Sequence, residues 1–456
     1  MAFVFALPGE LAAQRRGKEI DDYDTRIVED EPIPLPEKKP NLAERNNITP
    51  NPLMTLDEET RFNNHVKLKE YTSSLRSSNP RPIDEQNILE GVRFRVYRMT
   101  LPENWENISN ARNDLIKDID LFAKEPGRAK QFALSAAQRY LTELLTDQPR
   151  IVILNAVLAL GQLNEKPGNP FEKTVDQPYA PAAEPLLSIV EGTNQTAEAK
   201  IAAVFGLGRI LKNGAPPRTM RDRIAHVLAD ELEIDPGTKL KPDHVWYLWR
   251  IVDTLGYLQE PRTAIDEPVA VDALWKTMLN DSIPPEYWHL RAHAARALSQ
   301  LDLDNTFDVG LIAHEVVQLG GMVTVQFNRD PTNPVWRKCF IDLYFTYQPQ
   351  TTEEATGGWG LLQQVKTPAL RTHQPLVDGA YQESLKLING ALKNNPPAPV
   401  PNSVLNEVSD WMRKNPPTSQ KLYAESETVE EIKATAAVES DPNTAVTRPT
   451  GLTPAG

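Results

Sequence analysis

Ala199-Lys200-Ile201-Ala202-Ala203-Val204-Phe205-Gly206-Leu207-Gly208-Arg209-Ile210-Leu211 is the stretch from which the rest of the chain can be read. Ile201, Val204, Phe205, Gly208 and Leu211 recur at helical period and predict a single apolar face. Ala202, Ala203 and Gly206 lower the neighbouring surface so that another helix can approach closely. The pattern returns in Val152 to Leu163 and in Leu290 to Leu301, and more loosely in Tyr247 to Leu258. A bulkier copy, Val335 to Leu343, follows.

With Gly161, Gly208, Gly256, Ser299 and Tyr344 as markers, the copies lie 47, 48, 43 and 45 residues apart. Each is preceded by another helical segment: Gln131 to Leu145, Ala180 to Val190, Met220 to Leu232, Val269 to Leu279 and Phe307 to Leu319. A period of about 40–47 residues with two helices per unit is that of HEAT and armadillo arrays. The Ala-Ala and Leu-Gly in register resemble the second helices of HEAT repeats, with Ser299 and Tyr344 departing from the usual glycine. The resemblance covers roughly residues 130 to 350. It implies an all-α fold, a right-handed α-solenoid of about five to seven HEAT-like helix pairs between disordered arms. One pair cannot stand alone: four or five large side chains yield about 1.5–3 kcal/mol each on burial, while ordering about 35 residues costs as much or more.

Five segments follow from composition. Residues 1–55 read as an acidic, proline-rich arm, with Pro32, Pro34, Pro36 and Pro40 close together and too little apolar surface to offset ordering. Its first 14 residues read either as the remnant of a secretory signal or as a disordered tip, so exported and cytoplasmic locations stand equal. Residues 56–125 are expected to form an N-terminal helical cap, 126–350 the repeats, 351–415 a C-terminal cap, and 416–456 a disordered tail. Within the repeats, 167 to 178 reads as a loop.

Charge narrows the functions. The chain carries 49 Lys+Arg against 62 Asp+Glu, a net −13. Residues 1–60 hold −6 of this and 396–456 hold −3, leaving −4 for the middle. A mildly acidic core argues against nucleic acid, which needs clustered Lys and Arg. No apolar run approaches the ~20 residues of a membrane span. The single Cys339 excludes an intrachain disulfide framework.

Chemical motifs are sparse. His289 and His293 lie four apart on a predicted helix, a spacing that can place two imidazoles on one metal; packing is the preferred reading, because His293 takes an inward position of the repeat, and no metal or other cofactor is expected. Asp302-x-Asp304-Asn305 lacks the glycine and twelfth-position glutamate of a calcium loop. Gly206-x-Gly208 sits within a helix and follows no strand, so it is no phosphate loop. No catalytic residue emerges, and a non-enzyme is expected.

The aromatic cluster carries more information. Trp246 and Trp249 share one helical face and Tyr247 takes another, so at least one large aromatic escapes the core. With Arg250, Trp288 and Arg291 they are the candidate contacts for a protein or peptide on the concave face. The expectation is a monomeric, non-catalytic interaction scaffold. Two alternatives remain: a modifier similar to phycobilin lyases, which the HEAT resemblance also implies, and a nucleic-acid-binding solenoid with a basic stripe.

Overall fold

The helical periodicity is realised along most of the described residues. The computed structural model describes residues 48–438 apart from 124–126, 170, 235–237 and 395, and these are mostly helical with one two-stranded sheet. The polar segment after Met54 forms two helices, α1 (Leu56–Phe62) and α2 (His65–Leu75), because Asn63-Asn64 interrupts it. Thr55 caps α1 reciprocally with Glu58, and the Asn64 side chain accepts from the Val66 N–H. Next come α3 (Pro82–Tyr97), α4 (Ile108–Phe122), α5 (Arg128–Glu143) and α6 (Arg150–Gln162).

The loop expected over 167–178 opens and closes with paired backbone. Strands β1 (Asn164–Lys166) and β2 (Gln177–Pro178) pair antiparallel, so the described residues are not helical throughout. A side chain from the following unit pins this hairpin: Arg209 donates to the Gly161 carbonyl at 2.9 Å, to Asp176 at 2.9 Å and to Asn164. Nothing in the local alternation of 164–178 could show a strand held by a residue more than thirty positions away.

The helices α7 (Ala183–Glu191) and α8 (Ala197–Asn213), α9 (Arg218–Leu232) and α10 (Pro242–Gly256), and α11 (Val269–Leu279) and α12 (Trp288–Leu298) then pack in pairs. Helix α13 (Val309–Arg329) runs to Arg329, ten residues past its expected end. It is followed by α14 (Pro334–Tyr347), the short α15 (Thr352–Thr356) and α16 (Leu361–Gln364), then α17 (Gln374–Leu392), α18 (Asn402–Lys414) and α19 (Val429–Val438). The second helices form one row in which α4 packs on α6, α6 on α8, α8 on α10, α10 on α12, α12 on α14 and α14 on α17. Among the first helices α3 packs on α5, and α7 on α9 and α9 on α11. One apolar cluster runs between them from Tyr71 to Ile432.

The small residues set the spacing of the row. A Cβ on Gly206 would stand 3.0 Å from the Gly161 Cα and 2.9 Å from Leu186, and one on Gly208 2.9 Å from the Thr254 hydroxyl. Helix α8 therefore turns Ala202, Ala203, Gly206 and Gly208 inward, and two residues expected on its buried face lie elsewhere. Phe205 is 56 % exposed and Ile201 only half-buried, since larger side chains cannot occupy the contact that the glycines create.

Part of each expected arm is built into the fold. Residues 1–47 and 439–456 lie outside the described residues, but 48–55 and 416–438 do not. The Leu53 N–H donates to the Thr100 hydroxyl and the Asn51 amide to the Asp147 carbonyl, both at 2.9 Å. At the other end, expected to be unstructured, residues 418–438 form a strap. Leu422, Val429 and Ile432 are buried, and α19 packs on α11. The Asp308 N–H donates to the Leu422 carbonyl at 2.7 Å, Tyr423 donates to Asp272, and Lys433 reaches Glu315 at 2.6 Å. Three apolar residues spread over eleven positions are too dilute to register as a core segment, yet each finds a seat. No helix among the described residues is long and apolar enough to cross a membrane.

Candidate functional site

Helix α10 divides its aromatic residues between two faces. Val245, Leu248, Val252 and Leu255 point to the core, and Tyr247 joins them, 7 % exposed, its phenol donating to Glu231 on α9 at 2.7 Å. Trp246, Trp249, Arg250 and Asp253 fall at i, i+3, i+4 and i+7 on the other side. Trp246 is 48 % exposed. It stacks on Trp249 with centroids 5.4 Å apart and planes 12° from parallel, and Trp249 stacks on His293 of α12 at 4.5 Å and 23°. The three rings form one column across two helices.

Arg250 flanks the column. Its guanidinium lies 4.6 Å from the Trp246 ring, 4.8 Å from Trp249 and 5.6 Å from Phe205 on α8, distances at which cation–π attraction operates. On one side of this belt lies an open depression of about 520 Å³, walled by Trp246, Trp249, Tyr287, His289, Lys338 and Ile341. On the other lies a second, also about 520 Å³, between α4, α6 and α8, where Ile116, Leu158, Ala202 and Phe205 meet Lys117 and Arg209. Both belong to the row of second helices.

A buried polar group supports the column. His293 sits between two carboxylates, Nε2 3.6 Å from Asp253 and Nδ1 3.4 Å from Asp342, ionic contacts that lack the alignment of good hydrogen bonds. Burial opposes charging of the imidazole, but the two carboxylates outweigh it and raise the His293 pKa. Burial likewise pushes Asp253 up, and His293 with the nearby arginines reverses this, so its pKa falls below the ordinary carboxylate range. His289 behaves oppositely: burial, aided by Lys338, lowers its pKa and favours neutral imidazole. His293 is not among the residues lining the depression, and Trp249 lies over its ring. Among the described residues no group of three or more His, Cys, Asp or Glu could hold a metal ion.

The structure thus separates the expected contact residues. Trp246, Trp249 and Arg250 come together at the surface, with His289 beside them. Tyr247, Trp288 and Arg291 do not. Trp288 is 9 % exposed and donates its indole N–H to the Ile283 carbonyl at 2.9 Å. Arg291 is 1 % exposed, donates to the Met278 carbonyl at 2.9 Å and pairs with Asp281 at 2.8 Å. Pro285–Tyr287 is a 3-10 turn and α12 begins only at Trp288, which aims both side chains at the turn before the helix instead of the open face. Phe205, Lys338 and Ile341 were missed. The signal for two of them was present: three places before each marker stand Leu158, Phe205, Asp253, Arg296 and Ile341, a mixture of polar and apolar types that only a surface row tolerates.

No protein-family model matches the chain, and no curated protein matches it. Among solved structures, the chain is similar to a crystal structure described as an engineered protein, at 17 % identity over 59 % of this chain and 98 % of that one, with a TM-score of 0.32. A likeness that distant carries no argument.

Proposed function

We propose that the chain is a HEAT-like α-solenoid acting as a non-catalytic scaffold, and that the face of its second helices binds an extended peptide segment of another protein. The observation that carries this reading is the column Trp246–Trp249–His293, half-exposed at its outer end in an open apolar depression. Rigid, stacked aromatics lose little side-chain entropy on binding and are the residue type that dominates interface energies. Support for the solenoid comes from the 43- to 48-residue period and from the unbroken row α4 to α14, each helix packed on the next. Rotation between successive pairs in such an array creates a long concave surface. The pigment-modifier alternative calls for a polar pair facing the depression; His293 and Asp253 are not among its lining residues, which leaves that reading Asp342, His289 and Lys338.

The test is a peptide-display selection on the full-length protein. Sequences should enrich that bind wild type and lose binding to Trp246→Ala. Failure of any sequence to enrich, or equal binding to the variant, overturns the proposal.

A further inference from the structure

Resting on that reading, we infer that the depression selects a peptide bearing an aromatic ring flanked by carboxylates. The ring follows from the column. Trp249 is covered on one side by His293 and on the other by Trp246, so Trp246 carries the column's outer end, and offset stacking of another ring continues the same geometry.

The acidic flanks follow from the balance of charge around the site. The one carboxylate among the residues that line the depression is already engaged. Asp342, at the edge of the depression, faces both His293 and Arg296 at 3.4 Å, and Asp253 lies against His293. In the second depression Asp176 is paired with Arg209 at 2.9 Å. The cations are not engaged to the same degree. Lys338 is exposed, lines the depression and takes part in no ion pair among the described residues, and the same holds for Lys117 in the second depression. Arg250 has only Asp253, at 4.0 Å. A chain of net −13 thus places a lysine, unpaired among the described residues, at the wall of the depression, a group that orients an acidic partner. Lys338 in the depression, with Arg250 beside the column, suits a short acidic segment; a polyphosphate backbone would need many more cations.

Fluorescence anisotropy on the full-length protein tests this with three labelled peptides: Gly-Glu-Phe-Asp-Gly, its basic counterpart Gly-Lys-Phe-Arg-Gly, and Gly-Glu-Ala-Asp-Gly. The acidic aromatic peptide is expected to bind at least about tenfold more tightly than either of the others. Lys338→Glu, an exposed change, should weaken it about tenfold and strengthen the basic peptide, a gain that misfolding cannot produce. If the basic peptide binds as well as the acidic one, and both depend on Trp246, the charge inference is overturned and the peptide groove stands. If no peptide responds to Trp246→Ala, both fall. Tighter binding of an oligothymidylate, competing with the peptide and falling steeply with salt, also overturns the inference in favour of nucleic acid.

Discussion

Trp246 and Tyr247 are neighbours in sequence, and substitution should separate them sharply. Trp246→Ala removes a half-exposed ring and should leave stability within about 0.5 kcal/mol, the range of surface changes. Tyr247→Ala empties a core position and abandons the bond to Glu231, at a cost of about 3 kcal/mol or more. Arg291→Met should cost about 3 kcal/mol, since it strips the Met278 carbonyl and Asp281 of a buried partner. Chemical denaturation of the three variants checks the order. Periodicity divided Trp246 from Tyr247 correctly, because the 100° step of a helix is local. It placed Trp288 and Arg291 wrongly because their orientation depends on where α12 begins, and a 3-10 turn starting at Pro285 cannot be told from a first helical turn in sequence. His293 supplies a pH test. Its pKa is raised in the folded state, so its ionic contacts stabilise fully below the ordinary histidine value of 6.5 and are lost as pH rises through the folded value. Wild type should lose stability relative to His293→Leu as pH climbs above about 6.5; parallel melting curves would contradict that.

At the level of helices, the closest approaches are made by small residues, and their substitution measures how tightly the row is held. Gly206→Val would drive a side chain into Leu186 and the backbone at Gly161 and should destabilise by about 1–3 kcal/mol. Gly321, inside α13, is the control, because a Cβ placed there would meet nothing within 4 Å. Gly321→Ala should gain roughly 0.5–1 kcal/mol by removing backbone freedom from the unfolded chain. Melting temperatures of the pair should move in opposite directions. The glycines were legible as packing positions from their recurrence alone. The faces they create were not fully so: a buried Gly206–Gly161 contact forces Phe205 outward, and only comparison of the five copies, position by position, exposes the mixed row to which Phe205 belongs. The β1–β2 hairpin was invisible for a related reason, being held from α8 by Arg209.

Across the whole molecule, the strap of residues 418–438 ties the α11 helix, through Tyr423 and Asp272, to α13, through Lys433 and Glu315. Helices α11 and α13 belong to successive pairs, and the strap supplies contacts to both. Ending the chain at residue 417 should therefore lower the melting temperature by roughly 5–10 °C, with no change in peptide affinity, because the strap shares no residue with the depression. An unchanged melting temperature would show the strap to be ornamental. The central claim concerns the other side of the array, and one calorimetric measurement addresses it most directly: the affinity of the best display-selected peptide for wild type, for Trp246→Ala and for Phe171→Ala, which removes an exposed ring from the hairpin loop. The account predicts a loss of about 2 kcal/mol, roughly thirtyfold, for Trp246→Ala and no change for Phe171→Ala. Equal affinity for wild type and Trp246→Ala would contradict it.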